Sequence, residues 1–404
     1  LSPYFILVMH LFFAVYVRFI ILLYFDQSFV LHSSVSISFD NFMLLILAIF
    51  VLVLGIELGM MSFKRGPIQS KLLAMPAKIK NPTWIALISV SFIFLYLFIL
   101  IKSLGDIILV AQVFASRAVT KLEGLHFIGI LNYFSIAGAI FLYYFCKTGN
   151  LSKTQKFIYY LSIFCCGLLL LIQSGRGNLV SFVLSLFLIS YFLTKKTILE
   201  KIKAFSILTA GGLFVLFSGL IIRFSTQKRV SLADGFEIIF QESLATLSNP
   251  FALYDHFSLS VDYASKHPSG YEFFYLYKPL EIIPRFLWSE KPESLGLQIR
   301  QFYWGDSLGG IPPGMFGEAW ISLGLGMFFV ILIVGVFCGW FTSISLQASK
   351  HHSMLPFVAI LFPLIVFNLP RSGFDIGFIK LVFTIFSVFF FKIIASLKWG
   401  NSKS

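Results

Sequence analysis

About ten apolar stretches divide this chain of 404 residues, and each is close to the roughly 20 residues that a helix needs to cross a lipid bilayer. We predict spans at about Tyr4 to Phe25, Phe42 to Met61, Trp84 to Ile101, Phe127 to Cys146, Phe157 to Gln173, Asn178 to Leu193, Phe205 to Ile222, Ala319 to Phe341, Met354 to Leu369 and Phe378 to Leu397. Only 12% of the residues are charged, against roughly 25% in ordinary soluble domains. The sequence therefore predicts an all-α fold: a polytopic integral membrane helical bundle of about ten spans, with residues 1–404 in a single membrane domain.

The basic residues distinguish the two sides of this predicted bundle. A net charge of +13 would also suit a nucleic-acid-binding protein, but lysine and arginine concentrate in alternate connections between spans. They are Lys64, Arg65, Lys71, Lys78 and Lys80; Lys147, Lys153 and Lys156; Lys195, Lys196, Lys201 and Lys203; Lys350; and Lys398 and Lys403. Residues 26–41, the first connection on the opposite side, contain neither lysine nor arginine. The second connection on that side fits this pattern less well, because it contains Lys102, Arg117 and Lys121. The positive-inside rule then places both termini in the cytoplasm, and we expect no nucleic-acid partner.

One long polar insertion, Arg223 to Gly317, separates the seventh and eighth predicted spans. The same rule places this loop outside the cytoplasm. It holds at least half of the acidic residues of the chain, and we predict helices in it over Phe236 to Leu247 and Pro292 to Tyr303. Aromatic residues are unusually frequent for a solvated loop around positions 273–277. We therefore expect the loop to lie against the membrane surface or the bundle.

Arginine is the residue type most suited to a ligand site on this outer side. The candidates there are Arg176, Arg223, Arg285, Arg300 and Arg371. A guanidinium is permanently charged and presents a planar fork of donors that matches phosphate oxygens. A single arginine near a membrane can instead extend to lipid headgroups, and we interpret Arg18, within the first span, in this way. Several arginines at one mouth of the bundle would repel each other, so we predict that an anionic ligand offsets their charge there.

Groups that could accept a proton are fewer. They are His256 beside Asp255, Glu272, Asp306, Glu318 and Asp375. Histidine can accept a proton near neutral pH, and a carboxylate can do so when burial raises its pKa. His256 and Glu318 are our candidates for catalysis, the latter because an acid at the membrane boundary is costly without a role. The histidines and the four cysteines show no metal-ligand spacing, so we expect no metal site.

Two motifs around these residues make the sequence resemble a known family. Ile283 to Pro292 reads Ile-Pro-Arg-Phe-Leu-Trp-Ser-Glu-Lys-Pro, and Pro312 to Trp320 reads Pro-Pro-Gly-Met-Phe-Gly-Glu-Ala-Trp, followed by a Gly-Leu-Gly at 324–326. With the Ser174 to Gly177 turn and the Pro370-Arg371 turn, they resemble the bacterial O-antigen polymerase (Wzy-type) family, oligosaccharide repeat-unit polymerases.

This resemblance implies a GT-C-like fold and a glycosyltransferase in the bacterial inner membrane, with an active site that faces the periplasm. Such an enzyme transfers a growing glycan from one undecaprenyl diphosphate carrier to a sugar hydroxyl on another carrier-linked repeat unit. The implied partners are the donor and acceptor glycans, membrane lipid and a chain-length regulator protein. Diphosphate is a good leaving group, so the arginines would bind it and stabilise its charge, and no cofactor, nucleotide or metal is needed.

Two other functions stay open at this level. An O-antigen ligase-type transferase would use the same donor and nearly the same arginines. A lipid-linked oligosaccharide flippase or other transporter is expected to show repeated halves and charges deep within its spans. The chain instead concentrates its polar residues in one asymmetric loop, which favours an enzyme.

The predicted topology can be tested by cysteine labelling. A Ser269→Cys variant should react with a membrane-impermeant thiol reagent in intact cells or spheroplasts, because the loop 223–317 lies outside. A Thr197→Cys variant should react only after lysis, since it lies in a lysine-rich connection. The opposite pattern of labelling would reverse the orientation.

Overall fold

The computed structural model describes residues 3–25, 37–63, 82–106, 129–149, 151–172, 176–193, 252–267, 292–305, 310–348 and 352–396, with isolated positions at 110, 200, 206, 283, 287–288 and 290. Every regular element within these ranges is a helix. The predicted seventh span, Phe205 to Ile222, and the predicted loop helix Phe236 to Leu247 lie outside the described residues, apart from Ser206.

The helices, in chain order, are α1 (Pro3–Leu11), a π-helical segment (Phe12–Val17), α2 (Arg18–Phe25), α3 (Phe39–Ser62), α4 (Pro82–Leu104), α5 (Ile130–Thr148), α6 (Lys153–Ile172), α7 (Arg176–Leu193), α8 (Leu253–Lys266), α9 (Leu295–Trp304), α10 (Gly314–Leu323), a 3-10 turn (Gly324–Gly326), α11 (Met327–Ala348), a 3-10 turn (His352–Met354), α12 (Leu355–Pro363), a second π-helical segment (Leu364–Asn368) and α13 (Leu369–Ser396). Local capping explains some of the starts. Ser38 accepts a hydrogen bond from the backbone N–H of Asn41. Ser152 and Gln155 form a reciprocal capping box before α6.

Six helical stretches within the described residues are long and apolar enough to cross a membrane. They are Tyr4–Leu23, Phe39–Ser62, Thr83–Leu104, Ile130–Thr148, Gly314–Ala348 and His352–Arg371. Large apolar side chains cover their outer surfaces, for example Phe50 at 64%, Phe94 at 67% and Phe329 at 68% exposure. Because water would not tolerate such surfaces, they suit lipid. The predicted class, a polytopic helical membrane protein, is confirmed at this level, and the number of about ten spans stays a prediction.

The eighth predicted span, Ala319 to Phe341, is not one continuous helix. Helix α10 ends at Leu323, and Gly324 adopts φ 54° and ψ −125°, a conformation that few residues other than glycine reach. A separate helix, α11, follows from Met327. Hydropathy could not reveal this break because the sequence stays apolar through it. The residues before Gly324, including Glu318, belong to a short helix of their own.

The chain divides into two compact units. The first contains Leu1–Gly66, Glu237–Leu346 and Leu364–Ile379, and the second contains Pro67–Phe236, Gln347–Pro363 and Lys380–Ser404. In the second unit, α5 packs against α4, α6, α7 and α12 and is buried along most of its length. Gly138 of α5 allows close packing, because a Cβ there would lie 2.8 Å from both Ser89 and Phe391.

In the first unit, α3 and α11 cross through two pairs of glycines, Gly55 with Gly59 and Gly335 with Gly339. A Cβ on Gly335 would lie 2.5 Å from the carbonyl oxygen of Leu52 and 2.9 Å from Cα of Gly55. The two backbones are therefore in direct contact, as in membrane helix pairs that use small residues four apart. This crossing joins the second span to the helix after the Gly324 break.

A Gly335→Ala variant should be less stable, by about 1 to 3 kcal/mol, because the new methyl group would meet backbone atoms that cannot move aside. Thermal unfolding of the purified protein in detergent measures this effect. Gly167→Ala in α6 is the matched control, since its Cβ would lie 3.9 Å from the nearest atom, in Phe182. Equal melting temperatures for Gly335→Ala and Gly167→Ala would contradict the close crossing.

Candidate functional site

Helix α8 (Leu253–Lys266) organises the candidate site and was not predicted from the sequence. Its residues fall within the polar loop 223–317, in a part for which no helix was predicted, and Tyr254, Asp255 and Phe257 are fully buried. It packs against α2, α3, α10 and the first π-helical segment. A helical period was visible in the sequence, since Leu253, Phe257 and Val261 recur every four residues. The other predicted loop helix, Pro292 to Tyr303, is present as α9.

Arg18 of α2 forms a buried ion pair with Asp255 of α8. The Arg18 Nε donates to Asp255 Oδ2 at 2.8 Å, and Nη2 donates to Oδ1 at 3.0 Å. Both side chains are completely inaccessible to solvent. The interpretation of Arg18 as a residue that extends to lipid headgroups is therefore wrong, because its side chain is buried and paired within the protein. Sequence spacing could not identify its partner, which lies 237 residues away. The π-helical segment Phe12–Val17 ends directly before Arg18, and such segments often occur at functional sites.

The neighbouring residue, Tyr254, attaches α8 to the start of α3. Its hydroxyl donates to the carbonyl oxygen of Ser38 at 2.9 Å and accepts from the Ser38 N–H at 3.1 Å. Its ring packs edge-on against Phe19 at 5.1 Å. Burial and the nearby charge of Asp255 raise the pKa of Tyr254, so the hydroxyl keeps its proton for this contact.

His256, a predicted catalytic residue, is the third of these consecutive buried residues, with 7% exposure. A hydrogen bond with the backbone of Pro312 holds its ring, and no partner for Nδ1 occurs among the residues that the structure describes. Burial, and then the positive charge of Arg371, lowers the pKa of His256 to about 4. Asp255 opposes this shift and Arg18 adds to it. The imidazole is therefore neutral near pH 7.

The Pro312 to Trp320 motif and the Pro370-Arg371 turn are in contact. A Cβ on Gly314, which has φ 70°, would lie 2.9 Å from the carbonyl oxygen of Pro370. Gly373 has φ 68°, and a Cβ there would overlap Oε2 of Glu318. Both glycines are thus required by a positive φ and by close approach. Glu318 itself is fully buried and lies against the turn that carries Arg371.

The structure thus brings together three of the predicted site residues: His256, Glu318 and Arg371, the last with an exposed side chain. Arg300 lies on α9, where its guanidinium covers the ring of Trp304 at 5.2 Å. Arg176 begins α7 in the second unit. The structure describes neither its side chain nor Arg223 and Arg285. The predicted cluster of arginines around one diphosphate stays a prediction, as does any role of Glu272, Asp306 and Asp375.

Comparison with known proteins assigns no family to this arrangement. The chain matches no protein-family model, no curated protein and no solved structure. Among the described residues, no three histidine, cysteine, aspartate or glutamate side chains are grouped to hold a metal ion.

Two of these residues, His256 and Arg371, provide complementary chemical groups. A neutral imidazole can accept a proton from a hydroxyl group, and an exposed guanidinium can bind a phosphate. They act on each other electrostatically, because the charge of Arg371 lowers the pKa of His256. Such an arrangement suits a reaction in which a hydroxyl loses a proton beside an anionic group.

The depressed pKa of His256 predicts that the protein is less stable in acid. The unfolded state takes up a proton near pH 6.5 and the folded state only near pH 4. The free energy of unfolding should therefore fall by up to about 3 kcal/mol as the pH decreases through this window. Thermal unfolding at about pH 7 and about pH 4.5 measures the loss, which should be smaller in a His256→Gln variant.

The exposed His352 provides a matched control for this experiment. A His352→Gln variant should lose as much stability in acid as the unmodified protein. If His256→Gln also loses as much, His256 is not the buried group that acid must charge.

Proposed function

We propose that this protein polymerises undecaprenyl-diphosphate-linked oligosaccharide repeat units into O-antigen or a related surface polysaccharide. The reaction would occur on the outer face of the bacterial cytoplasmic membrane. The observation that carries the proposal is the contact of the Pro312 to Trp320 motif with the Pro370-Arg371 turn, at Gly314 and Pro370. This contact brings Glu318 and Arg371 together, with His256 in the same group. The resemblance of these motifs to Wzy-type polymerases supplies the substrate class.

In this reaction the bond between the anomeric carbon of the growing glycan and its diphosphate breaks. A new glycosidic bond forms between that carbon and the acceptor hydroxyl oxygen. The hydroxyl proton passes to a base, for which Nδ1 of His256 is suited because it is unprotonated near neutral pH. Undecaprenyl diphosphate leaves as an anion, and Arg371 stabilises the negative charge that develops on it.

Binding of the diphosphate would also make His256 a stronger base. A base with a pKa of about 4 holds a proton weakly, and catalysis by a base is most efficient when its pKa is near the working pH. Part of the depression comes from the positive charge of Arg371. An anion bound to Arg371 would offset that charge and raise the pKa of His256. The donor would thereby prepare the base that activates the acceptor.

Glu318 is the second predicted catalytic residue, and its position gives it two possible effects. Its carboxylate lies against Gly373, so it supports the turn that holds Arg371. Its carboxylate is also a second group that can accept a proton. Replacement of Glu318 would displace Arg371 as well as remove a carboxylate, which makes His256 the cleaner residue for testing the base.

A transporter of lipid-linked oligosaccharides is a second candidate function, favoured by one observation. Transporters place charges within their spans, and Arg18 is a buried charge in the first span. This arginine is neutralised by Asp255, which also fits a structural or positioning role. We therefore keep polymerisation as the proposal.

Gene deletion should separate polymerase, ligase and flippase. Loss of a polymerase leaves surface lipid that bears a single repeat unit, because one carrier-linked unit still reaches the ligase. Loss of a ligase leaves no repeat-unit glycan on the surface lipid. Loss of a flippase prevents delivery of repeat units to the outer face of the membrane. We expect the single-unit phenotype, read as the loss of the polymer ladder on a gel, with restoration by the intact gene.

The purified protein in liposomes should extend the lipid-diphosphate-linked repeat unit without a nucleotide sugar. Activity should persist in a metal chelator, because the leaving group is already activated. A deletion strain that keeps its ladder would refute the polymerase. Loss of activity in the chelator, with restoration by a divalent metal, would refute only the metal-independent mechanism.

A further inference from the structure

The ion pair between Arg18 and Asp255 is not explained by stability alone. Removing two charges from water is costly, and replacing a buried ion pair by apolar residues of similar volume is often neutral or stabilising. This pair is fully buried, yet two parallel hydrogen bonds give it a defined direction. A bidentate pair fixes the position and the rotation of the elements that it joins. Here those elements are the first span and α8.

Three consecutive residues of α8 make three different attachments. Tyr254 bonds to the backbone of Ser38, Asp255 bonds to Arg18, and His256 bonds to the backbone of Pro312. Successive residues of an α-helix point about 100° apart. The first two attachments therefore determine the direction of the third side chain. A rotation of α8 that broke the pair would turn His256 away from Pro312 and Arg371.

The contact with Pro312 also selects the form of the imidazole. A carbonyl oxygen can only accept, so the ring nitrogen that faces Pro312 carries the hydrogen. Because Nδ1 has no partner among the described residues, we assign the donor to Nε2. Nδ1 then keeps its lone pair, which is the form that a base requires.

We propose that the Arg18–Asp255 pair is a positioning device that holds α8 so that Nδ1 of His256 faces the acceptor hydroxyl beside Arg371. This inference rests on the proposed function for the identity of the hydroxyl. The orientation of His256 itself can be tested without that function.

A double apolar variant, Arg18→Met with Asp255→Leu, distinguishes positioning from stability. A single substitution would leave a buried charge without its partner and could unfold the protein. The double variant removes both charges, so it should reach the membrane and melt near the temperature of the unmodified protein. We expect kcat for polymerisation to fall about 10- to 100-fold, the scale of a displaced catalytic group, with little change in KM.

The matched control is Lys266→Met on the same helix. Lys266 pairs with Asp262 at 2.6 Å, but its side chain is 42% exposed. This variant also removes a charge from α8 and should keep normal kcat. Normal kcat in the double apolar variant would overturn the proposal, because the pair would then serve stability only.

A second readout needs no polymerase activity. The folded protein is treated with diethyl pyrocarbonate and then digested, and the modification of His256 is measured by mass spectrometry of the peptides. We expect slow modification in the unmodified protein and at least about a threefold faster rate in the double variant, because release of α8 exposes the ring. An unchanged rate would overturn the positioning role, even if kcat had fallen. A faster rate in a protein whose deletion leaves the polymer ladder intact would support the positioning of His256 and refute the proposed function.

Discussion

The buried ion pair between Arg18 and Asp255 is the interaction on which the rest of the candidate site depends. In a low-dielectric interior neither charge is tolerated alone, because the desolvation cost of each is offset only by the other. The pair therefore requires α8 to lie against the first span, although α8 belongs to a segment that composition assigns to a polar loop. Once α8 is held there by Asp255 and by the contact of Tyr254 with Ser38, His256 has a defined direction.

Irregular backbone places the charged groups where regular helices could not. Two π-helical segments occur in the described chain, one ending at Val17 directly before Arg18 and the other at Asn368, shortly before Arg371. Pro363 precedes the second segment and, because it lacks an N–H, interrupts the hydrogen-bond ladder there. The positive φ angles of Gly314 and Gly373 accompany the close contact between the Pro312 to Trp320 motif and the Pro370-Arg371 turn. Such departures from regular geometry are often retained at functional sites.

The electrostatics of the first unit follow from this geometry. Asp255 neutralises Arg18, and the positive charge of Arg371, whose side chain is exposed, lowers the pKa of His256. A ligand that carries negative charge would therefore be attracted at Arg371 and would change the basicity of His256 at the same time. Such a coupling between anion binding and the basicity of His256 would suit the proposed transfer from a diphosphate carrier.

The sequence by itself determined the helical membrane class, since hydropathy is a local property that each apolar run carries independently. It also selected His256, because histidine can accept a proton near neutral pH, and Glu318 and Arg371, because a charged residue at the membrane boundary is costly without a role. The position of α8, the break at Gly324 and the partner of Arg18 depended on tertiary structure. The apolar period of α8 indicates a helix but not the partner against which it packs, and the choice of one carboxylate 237 residues away depends on how the whole chain packs. Burial therefore decided which charges are paired inside the protein, something that residue type and spacing do not encode.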